Sequence, residues 1–213
     1  YRWCHGLIMI PVRQHEQGNT INCVERRALE VVFRHDTRVS DERDIRNLAM
    51  VGFMGTGKST VGRHLAVRLG WVFVDLDEAV EADTGAKVAE LFRTHGEHAF
   101  RQLEAEAGAA AAARVRVVIA PGGGWSLVPG RLDGLPDSTL TVWLRVTPET
   151  AVRRATGTAR VRPLLSGPDP AARARELLQE REPVYSRARL QLDADRASPS
   201  SLVDAIVAYM ERS

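Results

Sequence analysis

The chain has 213 residues, a length that suits one α/β domain with an additional segment. Its hydrophobic content of 44% and charged content of 26% are ordinary for a globular protein. The formal net charge of +2 is too small to indicate a nucleic acid or a membrane surface as partner. No apolar run approaches the length of a transmembrane helix, so the sequence excludes a helical membrane protein.

Residues 1–46 differ from the rest because they show no clear helical or strand periodicity. The apolar patch at residues 7–10 is short for a signal-peptide core, and no small-residue cleavage site follows it. We therefore predict a poorly ordered N-terminal extension at residues 1–46 and a folded domain at residues 47–213. Both cysteines, Cys4 and Cys23, lie in this extension, which predicts a core without disulfides and a cytoplasmic location.

From residue 47 onward, short apolar runs alternate with longer helical patterns, which predicts an α/β fold with a five-stranded parallel sheet flanked by helices. The predicted strands cover residues 48–52, 71–75, 116–120, 140–145 and 190–192. The predicted helices cover residues 58–69, 76–83, 87–95, 96–113, 148–155, 171–187 and 199–212. Since open α/β sheets bind ligands at the carboxyl ends of their strands, we expect the functional loops at that edge.

The first of these loops, Gly52 to Thr60, matches the phosphate-binding pattern G-x-x-x-x-G-K-[ST] between a strand and a helix. Its glycines let successive backbone N–H groups point at phosphate oxygens, and the following helix N-terminus adds partial positive charge. Lysine occurs only at Lys58 and Lys87 among 29 Lys+Arg, which leaves 27 arginines. A compact ammonium at Lys58 fits between phosphates where a planar guanidinium does not. The predicted ATP-binding residues of this P-loop are Gly55, Thr56, Gly57, Lys58, Ser59 and Thr60.

Two further sets of residues follow predicted strands. Asp75 and Asp77 are separated by one residue, so strand alternation places both on the same side of the strand end. A helix N-cap acid next to a solvated acid is the alternative explanation for this pair. The glycines Gly122 to Gly124 follow an apolar strand, and such a run is typical where the main chain must approach a ligand closely.

Taken together, these motifs resemble those of the shikimate kinase family over about residues 47–212. The matching motifs occur in the family's order: the P-loop, the F-x-D-x-D of residues 73–77, Gly96-Glu97-x-x-Phe100-Arg101-x-x-Glu104, the triple glycine, Arg162-Pro163-Leu164-Leu165 and Arg181-x-Pro183-x-Tyr185. The resemblance implies a P-loop NTPase fold like that of nucleoside monophosphate kinases, with a mobile lid. It also implies ATP-dependent phosphorylation of the 3-hydroxyl of shikimate in aromatic amino-acid biosynthesis, with Mg²⁺ as cofactor.

The resemblance also assigns roles to individual residues. It makes Lys58, Asp77 and Arg162 the catalytic residues, with Arg162 on the lid over the phosphates and Arg154 near the adenine. It places Mg²⁺ at Ser59, with Asp75 in the outer coordination shell. The implied shikimate-binding residues are Asp77, Arg101, Gly122, Gly123, Gly124 and Arg181. Two arginines suit this substrate because guanidinium groups bind a carboxylate through charge-assisted hydrogen bonds.

Two positions depart from the family pattern. Trp125 follows the triple glycine where a small residue is expected, and it either reshapes the acceptor pocket or packs against the next helix. Ala197 stands where a basic residue is common in the adenine loop. The alternative functions are another small P-loop kinase, such as a gluconate kinase, and a non-catalytic nucleotide-sensing module. We expect a monomer that binds shikimate and ATP, with no nucleic-acid or membrane partner.

Overall fold

The computed structural model describes residues 45–156 and 169–212. The predicted N-terminal extension lies outside the described residues, apart from Ile45 and Arg46. Arg162 and most of the predicted lid, residues 157–168, also lie outside them. No helix in the described part of the chain is both long and apolar enough to cross a membrane.

Strands and helices alternate along the described chain. The strands are β1 (Asn47–Val51), β2 (Val72–Asp75), β3 (Val117–Ala120), β4 (Thr139–Arg145) and β5 (Leu190–Asp193). The helices are α1 (Lys58–Leu69), α2 (Leu76–Thr84), α3 (Val88–Ala112), α4 (Pro148–Thr156), α5 (Pro170–Tyr185) and α6 (Pro199–Met210), with a 3₁₀ turn at Trp125–Leu127. These bounds confirm the predicted strands to within a residue or two.

The five strands form one parallel sheet in the order β2-β3-β1-β4-β5. β1 lies at the centre and pairs with β3 on one side and β4 on the other. All five residues of β1 are buried, which explains why the four that follow Asn47 form a continuous apolar run rather than an alternating one. The central strand therefore delivers the P-loop to the middle of the carboxyl edge of the sheet.

Strand alternation divides the core between the two faces of the sheet. Leu48 and Met50 of β1 pack in a cluster with Leu65 of α1 and Ile206 of α6. Val51 faces the other way and packs with side chains of α4 and α5. Both faces are thus covered by helices, as expected for a parallel sheet.

Helix α3 was predicted as two helices that meet at residue 96. In the structure it runs as one element from Val88 to Ala112 but has a non-helical residue, Gly96, with φ 79° and ψ 172°. A left-handed φ at this position requires glycine, so the predicted break is real. The kink separates the segment carrying Phe92 from the segment carrying Arg101 and Glu104.

The side chain of Asn47 joins β1 to the end of α3 and the start of β3. Its Nδ2 donates to the carbonyl oxygens of Ala112 (3.2 Å) and Arg114 (2.7 Å). Its Oδ1 accepts a hydrogen bond from the backbone N–H of Val117 at 3.2 Å. Asn47 is 2% exposed, so these backbone groups depend on the amide for their hydrogen bonds.

We predict that Asn47→Ala lowers the free energy of unfolding by about 2–4 kcal/mol, because it leaves the buried N–H of Val117 and two partly buried carbonyl groups without this partner. Urea denaturation of the two proteins measures this difference. Gln191→Ala is the matched control, since the Gln191 amide is exposed and makes one bond to the carbonyl of Ser186. We expect that control to stay within about 0.5 kcal/mol of wild type. An Asn47→Ala protein as stable as the control would contradict the role given to this amide.

Candidate active site

The P-loop curls between β1 and α1 because three of its glycines adopt positive φ. Gly52, Gly55 and Gly57 have φ of 133°, 76° and 95°. Space is equally restrictive, since a Cβ atom at Gly55 would lie 2.6 Å from the carbonyl oxygen of Ala151 in α4. Within the described residues, no side chain caps the N-terminus of α1. Its first N–H groups therefore face the inside of the loop, as in anion-binding helix termini.

The side chains of Lys58 and Thr56 both bind the carbonyl oxygen of Phe53 in this loop. The Lys58 ammonium donates to the carbonyl oxygens of Gly52 and Phe53, each at 2.8 Å, which places it inside the curl. The Thr56 hydroxyl donates to the Phe53 carbonyl at 3.0 Å, and the residue is 2% exposed. Thr56 thus stabilises the loop conformation through its side chain, and Lys58 lies inside the loop at the cavity wall.

The carboxylate of Asp75 connects the P-loop helix to α2. One oxygen accepts a hydrogen bond from the Ser59 hydroxyl at 2.6 Å. The other accepts from the backbone N–H groups of Asp77 (3.1 Å) and Glu78 (3.4 Å), which makes Asp75 the N-cap of α2. The N-cap alternative is therefore confirmed for Asp75, whose other carboxylate oxygen faces the P-loop helix at Ser59. The Asp77 backbone is held in place by the same contact.

Each glycine of the triple-glycine loop lies against a different part of the site. A Cβ atom at Gly122 would lie 2.8 Å from Oε1 of Glu104 and 3.2 Å from Oδ1 of Asp77. One at Gly123 would lie 3.2 Å from the backbone nitrogen of Met54 in the P-loop. One at Gly124 would collide with the guanidinium group of Arg101. Site residues thus approach this main chain closely, and at Gly123 the neighbour is P-loop backbone, which cannot rotate away as a side chain can.

Arg101 lies between two carboxylates of α3. Its Nη1 donates to Glu104 at 2.7 Å, and its Nη2 donates to Glu97 at 3.0 Å. Burial alone would lower the pKa of Arg101, but the charges and hydrogen bonds of Glu104 and Glu97 outweigh it and raise that pKa. Its side chain is 21% exposed, so the guanidinium group is held in one orientation and still reaches solvent.

Arg181 approaches the triple-glycine loop from α5. Its guanidinium carbon lies 5.3 Å from the centre of the Phe53 ring, beside the P-loop. Tyr185, one turn later on α5, is fully buried and donates from its hydroxyl to the carbonyl oxygen of Gly123 at 2.6 Å. Burial raises the pKa of Tyr185, while Arg181 and, more weakly, the charge of Arg101 oppose that rise. The guanidinium groups of Arg101 and Arg181 therefore both lie near the Tyr185 side chain at this loop.

Arg154 lies on α4 and is bound to the loop that follows β5. Its Nη2 donates to the carbonyl oxygens of Ala194 (2.9 Å) and Asp195 (3.1 Å). This loop carries Ala197, which is partly buried against the core cluster below it. Arg154 thus connects the P-loop side of the crevice to the segment that the sequence associated with adenine.

A cavity of about 350 Å³ brings most of these predicted residues together. It is lined by the P-loop residues Gly55, Gly57, Lys58, Ser59 and Thr60, by Asp75 and Asp77, by Gly122 and Gly123, and by Arg154. Thr56, Gly124, Arg101 and Arg181 do not line this cavity, although the two arginines lie at the triple-glycine loop beside it.

A larger cavity of about 440 Å³ lies at the opposite edge of the sheet, where β4 and β5 begin. It is lined by Thr139, Arg187 and Arg189, among others. The smaller cavity is the better candidate active site because it lies at the carboxyl ends of β1, β2 and β3, where parallel sheets bind ligands.

Trp125 does not line the cavity, and it packs against the preceding helices α2 and α3 rather than against the next helix. Its side chain is 5% exposed and packs with Leu76 of α2, Ala111 of α3 and Ile119 of β3. The indole lies against Gly108 of α3, where a Cβ atom would be 3.0 Å from its Nε1. The absence of a side chain at Gly108 provides the space for this ring.

Sequence reasoning missed functions for Glu104, Arg131 and Tyr185. Glu104 and Tyr185 belong to motifs that the sequence singled out, and their burial distinguishes them from surface residues. Arg131 stands outside every motif, and no local pattern marks it. Its guanidinium group contacts Glu104 and the backbone of Arg101, which are 27 and 30 residues away in sequence.

The donor set beside the P-loop fits a magnesium ion. The Ser59 hydroxyl and the Asp75 carboxylate are oxygen ligands, which Mg²⁺ prefers, and they lie 2.6 Å apart at the cavity wall. In residues 45–156 and 169–212 there is no group of three or more His, Cys, Asp or Glu side chains that could hold a metal. The two oxygens match a Mg²⁺ site whose other ligands are water and nucleotide phosphates.

Comparisons with known proteins agree with the fold and the motifs. A structure of the shikimate kinase from Acinetobacter baumannii in complex with shikimate has a TM-score of 0.74 and 32% identity to this chain, covering 80% of this chain and 95% of its own. A gluconokinase from Sinorhizobium meliloti has a TM-score of 0.53 and 18% identity over 80% of this chain and 94% of its own, which shows a shared fold alone.

The sequence comparisons identify the family. The shikimate kinase from Symbiobacterium thermophilum is 46% identical over 168 residues, which are 78% of this chain and 95% of that protein. The family description "Shikimate kinase" matches residues 54–211, a range that contains the P-loop lysine, the acidic pair and both arginines at the triple-glycine loop. This chain belongs to the shikimate kinase family.

Proposed function

We propose that this protein is a shikimate kinase that transfers the γ-phosphoryl group of ATP to the 3-hydroxyl of shikimate, giving shikimate 3-phosphate and ADP. The observation that carries the proposal is the arrangement of Lys58, Asp77 and the triple-glycine loop at one cavity, with Arg101 and Arg181 beside that loop. Family membership supports the same reaction, which belongs to aromatic amino-acid biosynthesis.

The P-loop binds the triphosphate of ATP. The uncapped N-terminus of α1 supplies backbone N–H groups, and the Lys58 ammonium moves from the loop carbonyls to the phosphate oxygens. Ser59 would hold Mg²⁺, with Asp75 in the outer coordination shell, and the ion would supply positive charge to the phosphates. Arg154 lies at the end of the cavity where the adenine loop begins, and we assign it to the nucleotide.

Shikimate is a small anionic polyol, so its site needs cations for the carboxylate and oxygen acceptors for the hydroxyl groups. Arg101 and Arg181 approach the triple-glycine loop from two helices and bind the carboxylate through charge-assisted hydrogen bonds. Gly122 to Gly124 supply main-chain contacts to the ring. This division of roles places the acid at the end of the crevice away from Arg154.

Asp77 orients the acceptor hydroxyl. Its backbone is held by Asp75, and its carboxylate faces Gly122, between the P-loop and the triple glycine. The 3-hydroxyl donates to Asp77, which aligns the oxygen with the γ-phosphorus and takes up the proton as the new bond forms. A loose transition state requires alignment more than a strong base, so a carboxylate suffices. Arg162, outside the described residues, is assigned to the lid that covers the phosphates.

The remaining assignments of cell location and assembly rest on the sequence. We assign the protein to the cytoplasm as a monomer, with residues 1–46 as an extension of a kinase domain at residues 47–213. A gluconate kinase is the second candidate, because gluconate is also an anionic polyol. The arginine pair on either side of the triple glycine favours shikimate.

The direct test is release of ADP, followed with a coupled assay, from Mg-ATP and each of two acids. We expect turnover with shikimate and none above the ATP-only background with gluconate. Turnover with gluconate alone would support the second candidate and contradict the proposed function. Nucleotide binding with no turnover on either acid would indicate a sensing module instead.

We predict that Asp77→Asn lowers kcat by about 100-fold or more, because an amide neither aligns the hydroxyl nor accepts its proton. ATP affinity should be unchanged, since the P-loop and the Asp75 cap do not depend on this side chain. Steady-state kinetics and ATP titration measure the two effects.

Asp83→Asn is the matched control, because Asp83 is an exposed acid on the same helix. It should behave as wild type in both measurements. If Asp77→Asn turned over at the rate of this control, Asp77 would have no part in the transfer.

A further inference from the structure

Arg131 lies in the connection between β3 and β4, and its side chain is 13% exposed. Its Nη2 donates to the backbone carbonyl oxygen of Arg101 at 2.5 Å, and its Nη1 lies 3.5 Å from Oε2 of Glu104. Its guanidinium carbon is 6.0 Å from the centre of the Trp125 ring, which lies within cation–π distance. These contacts place the nearly buried guanidinium group of Arg131 against the turn of α3 that carries Arg101.

Glu104 explains why a second cation is needed there. It is fully buried, and its Oε2 takes hydrogen bonds from both Arg101 and Arg131. Its Oε1 has no hydrogen-bond partner in the part of the chain that the structure describes and faces Gly122. Arg101 is shared between Glu104 and Glu97, so a second guanidinium group on the Glu104 carboxylate offsets part of the negative charge around Arg101.

The backbone contact adds a geometric restraint. A carbonyl oxygen has two lone pairs, so the Arg101 carbonyl can serve its helix and still accept from Arg131. Arg131 therefore holds both ends of the same residue, the main chain directly and the guanidinium group through Glu104. If Arg131 only fixed its loop to α3, the contact with the Arg101 carbonyl would be enough and the contact with Glu104 would not be needed.

We propose that Arg131 is a positioning residue for Arg101, which it keeps oriented toward the triple-glycine loop and able to bind the carboxylate of the substrate. This assignment rests on the proposed shikimate kinase function. It adds Arg131, through Glu104, to the residues that determine recognition of the acid, and it gives Trp125 a role as the surface against which the Arg131 side chain lies.

The test compares Arg131→Met with wild type in steady-state kinetics. We expect the KM for shikimate to rise about 10- to 100-fold, the range for losing a hydrogen bond to a charged group, while the KM for ATP stays unchanged. A carboxylate contact remote from the transferred phosphoryl group affects ground and transition states alike, so kcat should change much less than KM. Arg187→Met is the matched control, since Arg187 makes an exposed ion pair with Asp133, and it should match wild type.

The pH profile of kcat/KM is a second measurement, which would stay unchanged if Arg131 served only to hold the fold together. Burial raises the pKa of Glu104, Arg101 and Arg131 oppose that rise, and Asp77 on α2 adds to it. Removing Arg131 removes one opposing charge, so the Glu104 pKa rises further and protonation begins at higher pH. Protonated Glu104 orients Arg101 poorly, so the acidic limb of Arg131→Met should move to higher pH than that of Arg187→Met.

Arg131→Lys keeps the experiment decisive if the methionine variant does not fold. Lysine retains the charge beside Glu104 but cannot make both contacts. The KM of Arg131→Lys for shikimate should therefore lie between those of wild type and Arg131→Met. If Arg131→Met cannot be measured, the KM of Arg131→Lys should still be several-fold above that of wild type. A wild-type KM for shikimate, or an equal rise in KM for both substrates, would overturn the role of Arg131. A wild-type enzyme inactive on shikimate would instead overturn the proposed function, and the Arg131 assignment with it.

Discussion

The carboxylate of Asp75 is the contact on which the geometry of the crevice depends. It binds the Ser59 hydroxyl on α1 with one oxygen and the first N–H groups of α2 with the other. One short side chain therefore links the P-loop helix to the backbone of Asp77. A phosphoryl donor and its acceptor react only when they are held close and in line, and this contact fixes the frame for both.

The second organising principle is the balance of charge around the triple-glycine loop. Glu104 is buried between two guanidinium groups, and this arrangement gives Arg101 a fixed direction. Arg181 enters from α5, whose Tyr185 binds the loop carbonyl at Gly123. The end of the crevice that we propose binds the acid is thus assembled from helices on different sides of the loop, and Arg101 is oriented there by protein contacts alone.

Local signals in the sequence were sufficient for the fold and for about half of the site. The P-loop, the acidic pair and the break at Gly96 were predicted because each depends on neighbouring residues and on backbone conformation. The contacts of Arg131 with Arg101 and Glu104, and of Tyr185 with Gly123, join residues 27 to 62 positions apart. Such pairs follow from helix packing, which composition and periodicity do not specify.

The most direct test of a single crevice for both substrates is a crystal structure with shikimate and a non-hydrolysable ATP analogue. We predict the shikimate carboxylate on Arg101 and Arg181, the 3-hydroxyl on Asp77, and that hydroxyl oxygen about 3–3.5 Å from the γ-phosphorus. Shikimate bound with its carboxylate away from both arginines, or with its 3-hydroxyl turned from the P-loop, would contradict the account.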